Sequence, residues 1–272
     1  MWRPINGLLI PDVQLSASNG VQFSDTWYQR LSDNRDLAVT GYVFTEALPM
    51  VSVQYRQLTS QGSFQATGYL TRSSRIPIGS SSTVSQPDFR GYLYTNGRYQ
   101  FTPNWGLTFS GRVASDRTFL RRYDISRDDR LRSMAQLERI DADSYFSIAG
   151  WATQTLRVGD SQGLVPIALP EIDYRRRLTD PWLGGRVQLQ ANSLAITRTS
   201  GQDTQRAFAS AQWDLRRLTP WGQEVTVTAL ARGDVYHSDE NGLTATAIYR
   251  GNPGWQARGM AEEPCHHASF RY

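Results

Sequence analysis

The chain has a single cysteine, three histidines and no apolar run long enough to cross a bilayer as a helix. Each shortage excludes something. Cys265 alone cannot form an internal disulfide, and it gives no clue to redox compartment. A transmembrane helix needs about 18 or more consecutive apolar residues, and none occur here. Strand-built membrane proteins escape that test. The balance of 29 basic against 25 acidic residues leaves +4, too mild and too dispersed for a nucleic-acid binder. Residues 1–20 lack a basic start, an apolar core and a small-residue cleavage site, so an exported protein would carry its leader in sequence outside this chain. No low-complexity tract, domain boundary or fixed-period repeat stands out.

Catalytic signatures are missing too. There is no Gly-x-Ser-x-Gly, phosphate loop or dinucleotide fingerprint, and the carboxylates are scattered, so neither an enzyme nor a cofactor is expected. His237 lies near Asp234 and Asp239, but reads as a polar residue at a strand end. Cys265, His266 and His267 form a soft-metal cluster on paper, yet no second ligand pair accompanies them, and no metal site is expected.

What the chain does have is aromatics and alternation. With 8 Trp, 13 Tyr and 10 Phe it is too aromatic to be a solvated, unfolded chain, despite a mean hydropathy of −0.49. In residues 105–113, Trp105, Leu107, Phe109, Gly111 and Val113 alternate with Gly106, Thr108, Ser110 and Arg112. That is the period of a two-faced β-strand. The pattern returns at Val51, Val53 and Tyr55, at Val187, Leu189 and Ala191, and at Val225, Val227, Ala229 and Ala231. Runs such as 89–101, 105–115, 185–195 and 224–236 have the roughly 9–11 residues a tilted strand needs to cross hydrocarbon, longer than the 5–6 common in soluble sheets. Between the apolar residues stand Gln, Ser, Thr, Asn and Arg, wrong for a dry core and right for a water-filled interior.

The expected fold is therefore all-β, a partial antiparallel transmembrane β-barrel of about 14 up-and-down strands, over residues 1–250 with an aberrant tail at 251–272. The strands are expected near 8–17, 21–31, 36–45, 50–58, 63–71, 89–101, 105–115, 132–140, 144–155, 166–176, 185–197, 205–216, 223–236 and 243–249. Residues 128–140 also fit an amphipathic helix, with Leu131, Met134 and Leu137 at helical spacing; strand is preferred because the neighbours are strands. Turn formers at 18–20, 60–62, 102–104 and 219–222 predict tight connections, expected on the periplasmic side, while 75–88, 116–130 and 157–163 are candidate outer loops.

The opening residues 6–11 (NGLLIP), then 16–20 (SASNG), Trp27–Tyr28, 34–36 (NRD) and 54–56 (QYR) with Gly62 resemble the start of the barrel domain of the LPS-assembly protein LptD family, also called OstA/Imp. Residues 115–124, 169–174, 184–185 and 198–206 resemble the same family, especially its alphaproteobacterial members, so the similarity runs from about 4 to about 250. The resemblance implies an outer-membrane translocon. It would receive lipopolysaccharide from a periplasmic bridge protein through a jelly-roll domain and release it into the outer leaflet, with an LptE-like lipoprotein plugging the lumen. In that family prolines in the first two strands weaken a seam that parts sideways. Pro11 matches the first; the second falls on Thr26, a departure. The gate-strand candidates are Pro11, Asn19, Gly20, Thr26 and Tyr28. The jelly-roll domain and paired cysteines of the family are absent, its barrel is about twice as long, and the sequence after Arg250 loses alternation, as truncation or a shifted reading frame would produce.

By parity Arg56, Arg90, Arg98, Arg112, Arg186, Arg206 and Arg232 share the polar face and are the lumen-facing candidates. They suit the phosphates of a glycolipid; the competing reading pairs them with carboxylates such as Glu224 and Asp234. Two other functions remain open at this point. One is a small outer-membrane pore for passive solute diffusion, the other a soluble β-rich carbohydrate-binding protein with Trp105, Leu107 and Phe109 inside a core.

Overall fold

The structure, a computed structural model, describes residues 6–16, 19–74, 87–178, 182–239, 242–252 and 268–271. The chain divides into two compact units, Met1–Ala135 with Trp151–Val165, and Gln136–Gly150 with Pro166–Tyr272.

The first unit holds β1 (Gly7–Leu8), β2 (Asp12–Ser16), β3 (Gly20–Ser32), β4 (Arg35–Phe44), β5 (Met50–Thr59), β6 (Gly62–Ser74), β7 (Pro87–Gln100) and β8 (Trp105–Ala114). A single-turn helix, α1 (Phe119–Arg122), follows. The next two strands, β9 (Arg130–Ile140) and β10 (Ser144–Thr155), are shared between the units. From β3 to β8 each strand pairs antiparallel with its successor in the chain. The second unit continues with β11 (Ile167–Arg177), β12 (Arg186–Thr197), β13 (Thr204–Leu218), β14 (Glu224–Ser238), β15 (Gly242–Asn252) and β16 (Ala268–Arg271), again in chain order and antiparallel. Every run expected to be a strand is one. Residues 130–140 are strand rather than helix. The first expected run, 8–17, is cut in two around Pro11, and β16 falls outside the expected set.

Register fixes the two faces. In the first unit Trp27, Val39, Val53, Gly68, Leu93 and Val113 lie opposite one another across six strands, and the adjoining row reads Thr26, Thr40, Ser52, Tyr69, Tyr92 and Ala114. The first row is greasy and open: Trp27 is 43% exposed, Leu93 46% and Val113 53%. A soluble sheet would bury such a row at about 25 cal/mol per Å². In the second unit Val187, Leu189, Val225 and Val227 are likewise only half-buried, not gathered into a dry core. Toward the ends of β5–β8 nearest their tight turns, the apolar face carries Tyr55, Phe64 and Phe109 in ring contact, with Tyr99 against Phe101. Amphipathic rings at the border of an apolar band suit a bilayer interface.

Connections in the first unit are asymmetric. The links at 33–34, 60–61 and 101–104 are short, whereas the opposite ends of the strands carry 45–49 and 115–129. Asn19 and Gly20, expected in a short periplasmic turn, belong to the end with the longer links, because Glu46 N donates to the Asn19 carbonyl at 3.1 Å. Most of the loop expected at 75–88 lies outside the described residues.

The main dry core of the first unit was not foreseen. Residues 116–125, part of the candidate outer loop at 116–130, fold back over the polar face. Phe119 and Leu120 of α1 and the following Tyr123 are buried against Phe44, Met50, Tyr92, Ala114, Leu131 and Leu156. Burying two such side chains stabilises the docked loop by about 1.5–3 kcal/mol each.

Candidate functional site

The edge of the first unit is irregular where the gate candidates lie. On β3, Trp27 faces Leu8 of β1 and Ser24 faces Asp12 of β2, leaving Leu9, Ile10 and Pro11 outside both strands. Across that break a single backbone bond survives, Leu9 N to the Thr26 carbonyl at 2.8 Å. Pro11 has no N–H to offer a ladder, and its ring favours an extended, non-pairing stretch before β2. Ile10 is 92% exposed. Thr26 and Tyr28 are ladder residues of β3, paired with Thr40 and Ala38 of β4, and the Thr26 and Thr40 hydroxyls lie 2.8 Å apart. Thr26 therefore sits opposite the Pro11 break without breaking the next ladder itself.

Asn19 and Gly20 stand apart from that break, at the other end of β3. Gly20 adopts φ +71°, and a Cβ there would collide with the Thr45 hydroxyl, so this turn needs glycine.

Register places Arg56, Arg90, Arg98 and Arg112 on the polar face of the first unit and Arg186, Arg206 and Arg232 on that of the second. Most are engaged by carboxylates. Arg56 pairs with Asp36 at 2.8 Å, Arg90 with Asp116 at 2.7 Å and Arg112 with Asp128; Arg206 and Arg232 share Asp234 at 3.1 and 2.7 Å. Glu224 takes Arg216 instead. Arg186 faces Asp214 across the β12–β13 ladder. The pairing alternative thus describes these side chains well, and the set does not gather at one point. Near the tight turns, a cavity of about 710 Å³ contains Arg30, Arg56 and Arg98 together with Asp33 and Asp36.

The Arg90–Asp116 pair is the most enclosed. Its guanidinium reaches both carboxylate oxygens, at 2.7 and 2.8 Å, and Thr118 Oγ1 at 2.9 Å, and lies over the Phe119 ring. Burial alone would raise the Asp116 pKa, but hydrogen bonds from Arg90 and Thr118 and the Arg90 charge override it, holding this carboxyl well below the usual carboxylate range. The folded-back loop is further tied by Arg117, which donates to the carbonyls of Arg157 and Asp160 at 3.0 and 2.7 Å, and by the Arg157–Asp129 pair.

Sequence reasoning overlooked a second grouping on the polar face. Tyr92, Tyr94, Ser110, Arg112, Arg132 and Met134 line a cavity of about 510 Å³. Arg112 lies over the Tyr94 ring and Arg132 over Trp151. The available signal was compositional: all 29 basic residues are arginine, the cation whose planar head stacks on rings. The Cys265–His267 cluster lies outside the described residues. Among the described residues no group of His, Cys, Asp and Glu could hold a metal ion.

Strands of membrane-crossing length, each paired antiparallel with its successor from β3 to β8 and from β11 to β15, greasy on one face and hydrogen-bonding on the other, define the wall of an outer-membrane β-barrel protein. Residues 88–262 match the family described as "LptD: LPS transport system D", and the chain belongs to that family. The family is non-enzymatic and resides in the Gram-negative outer membrane. Among curated relatives, the LPS-assembly protein LptD of Haemophilus influenzae strain Rd is 25% identical over 198 residues, covering 70% of this chain and 24% of the relative. That of strain 86-028NP is 24% identical over 197 residues, with the same coverage. The chain thus spans about a quarter of the length of the curated relatives it matches.

Proposed function

We propose that this chain is part of the barrel wall of an outer-membrane lipopolysaccharide translocon, of the alphaproteobacterial type, which assembles the glycolipid into the outer leaflet. Residues 1–250 form the body of the wall in this reading, and β15, which ends at Asn252, and β16, paired on it, carry its edge into 251–272. The polar face lines the lumen, and an LptE-like lipoprotein fills part of it. A periplasmic bridge protein supplies the lipid through a jelly-roll domain.

The observation that carries the reading is the ladder gap at Leu9–Pro11 on β3. Backbone pairing holds a barrel wall closed in hydrocarbon, and each unpaired group there costs several kcal/mol. A wall missing several such bonds opens first where they are missing. An amphiphile could then move its acyl chains outward at that place while its sugars stay in the wet interior. The passive-pore alternative gains nothing from such a gap.

The test is site-specific photo-crosslinking in cells carrying the full-length protein, with a photoreactive residue at Ile10, at Tyr94 on the polar face, or at Leu70 on the apolar face away from the gap. Lipopolysaccharide adducts at positions 10 and 94 that vanish when its supply is blocked, with none at 70, are expected. Adducts at all three positions alike, or at none, would sink the proposal.

A further inference from the structure

Arg132 differs from the carboxylate-paired arginines of the polar face. Its side chain is exposed, it has no carboxylate partner among the described residues, and its one interaction is with the Trp151 ring, 5.5 Å from the guanidinium carbon. It opens into the 510 Å³ cavity whose other walls are Tyr92, Tyr94, Ser110, Arg112 and Met134. The Tyr69 and Tyr92 rings stack at 6.2 Å, extending the aromatic surface toward β6. The Tyr92 hydroxyl is taken by Arg112 at 3.0 Å, whereas the Tyr94 hydroxyl meets no described residue. One step along β7 on the same face, Asn96 Oδ1 is buried without a hydrogen-bond partner.

Aromatic rings are costly on a wet face unless something uses them. Ordinary packing accounts for Tyr92, which belongs to the core under α1, and for one edge of Tyr94, which rests against that core, but not for Trp151; both Tyr94 and Trp151 stay half-exposed. Flat rings beside hydroxyl and guanidinium donors match one ligand chemistry well. The C–H faces of a sugar ring lie against the aromatics, and its hydroxyls and any acidic substituent meet the donors. An arginine with no carboxylate of its own selects for that acidic substituent.

We propose that Tyr94, Arg132 and Trp151 form a binding site for anionic saccharide: sugar rings carrying a carboxylate or phosphate. The site rests on the reading of the polar face as the lumen, where it would hold the sugar portion of the cargo after the acyl chains have left through the wall. Arg112, locked to Asp128 and Tyr92, positions the Tyr94 ring.

The experiment is a titration of the full 272-residue chain in detergent micelles with trigalacturonate and with maltotriose, followed by tryptophan fluorescence and calorimetry. Trigalacturonate is expected to bind, at least tenfold more tightly than maltotriose. Arg132→Gln and Trp151→Leu should each weaken it about tenfold or more, the scale of a lost charge-assisted contact. Arg175→Gln, which removes an ion-paired arginine in the second unit, should change nothing. Trp151→Phe keeps a ring and should retain most of the affinity while losing the fluorescence response. Equal binding of the two saccharides, unchanged affinity in Arg132→Gln with the β-sheet circular dichroism intact, or no binding of either overturns the site. Because the titration needs no translocation, a negative result leaves the crosslinking test of transport standing, and the reverse also holds.

Discussion

Arg122 donates from Nη2 to the carbonyl oxygen of Glu46 at 2.9 Å, and Glu46 in turn donates its N–H to the Asn19 carbonyl at 3.1 Å. The loop that closes over the polar face is thereby joined to the turn that begins β3.

That turn should tolerate no side chain at Gly20. Gly20→Ala forces a positive φ on alanine and drives its Cβ into the Thr45 hydroxyl. A loss of about 1–3 kcal/mol is expected, measured as a lowered urea midpoint in lipid vesicles. An unchanged midpoint would mean that the turn is not held as described.

Breaking the Arg90–Asp116 pair should release the loop. Removing one partner of an enclosed pair leaves the other charge stranded, at a cost on the order of 3–5 kcal/mol. Arg90→Ala should therefore expose residues 116–130 to trypsin, which cuts beside the arginines there. If cleavage stays as slow as in the parent protein, the docked loop does not depend on this pair.

Acid should undo the same contact. A carboxyl held below its ordinary value on folding contributes stability above its unfolded pKa near 3.9, and that contribution fades as pH falls toward the folded value. Asp116 is such a group. Protection from an acid-active protease such as pepsin should thus fall below about pH 4, and Asp116→Asn should flatten the profile. A profile identical in the two proteins would rule Asp116 out as the responsible group.

Neighbouring positions on β8 should report opposite environments. With Cys265→Ser in the background, Leu107→Cys should react with a lipid-soluble maleimide and Thr108→Cys with a water-soluble one. The reverse pattern would mean that the apolar face does not meet lipid.

Strand positions were legible because period two is written directly into side chains, as at Trp105, Leu107 and Phe109. Register followed from the same alternation, since a slip of one residue would turn Val53 and Leu93 onto the wet face. Residues 115–125 were opaque: their five charged residues read as a solvated loop, and only tertiary contact with Phe44, Met50 and Leu156 reveals that Phe119 and Leu120 form a core. Arginine parity was readable, but partner choice was not, because Asp116 and Asp128 come from a loop whose path the alternation does not encode. Arg132 and Trp151 escaped notice for a similar reason. They lie on separate strands, and no local spacing announces that one covers the other.

Strand order equal to chain order has a consequence for how such a wall is made. In β3 through β8 each new strand needs only the edge left by its predecessor, two to twelve residues back. Ladder pairing in this part of the chain therefore never reaches past the preceding strand, the arrangement that keeps loop-closure entropy small. A chain delivered amino end first could add its hairpins one after another to a growing edge, never waiting for a distant segment to arrive.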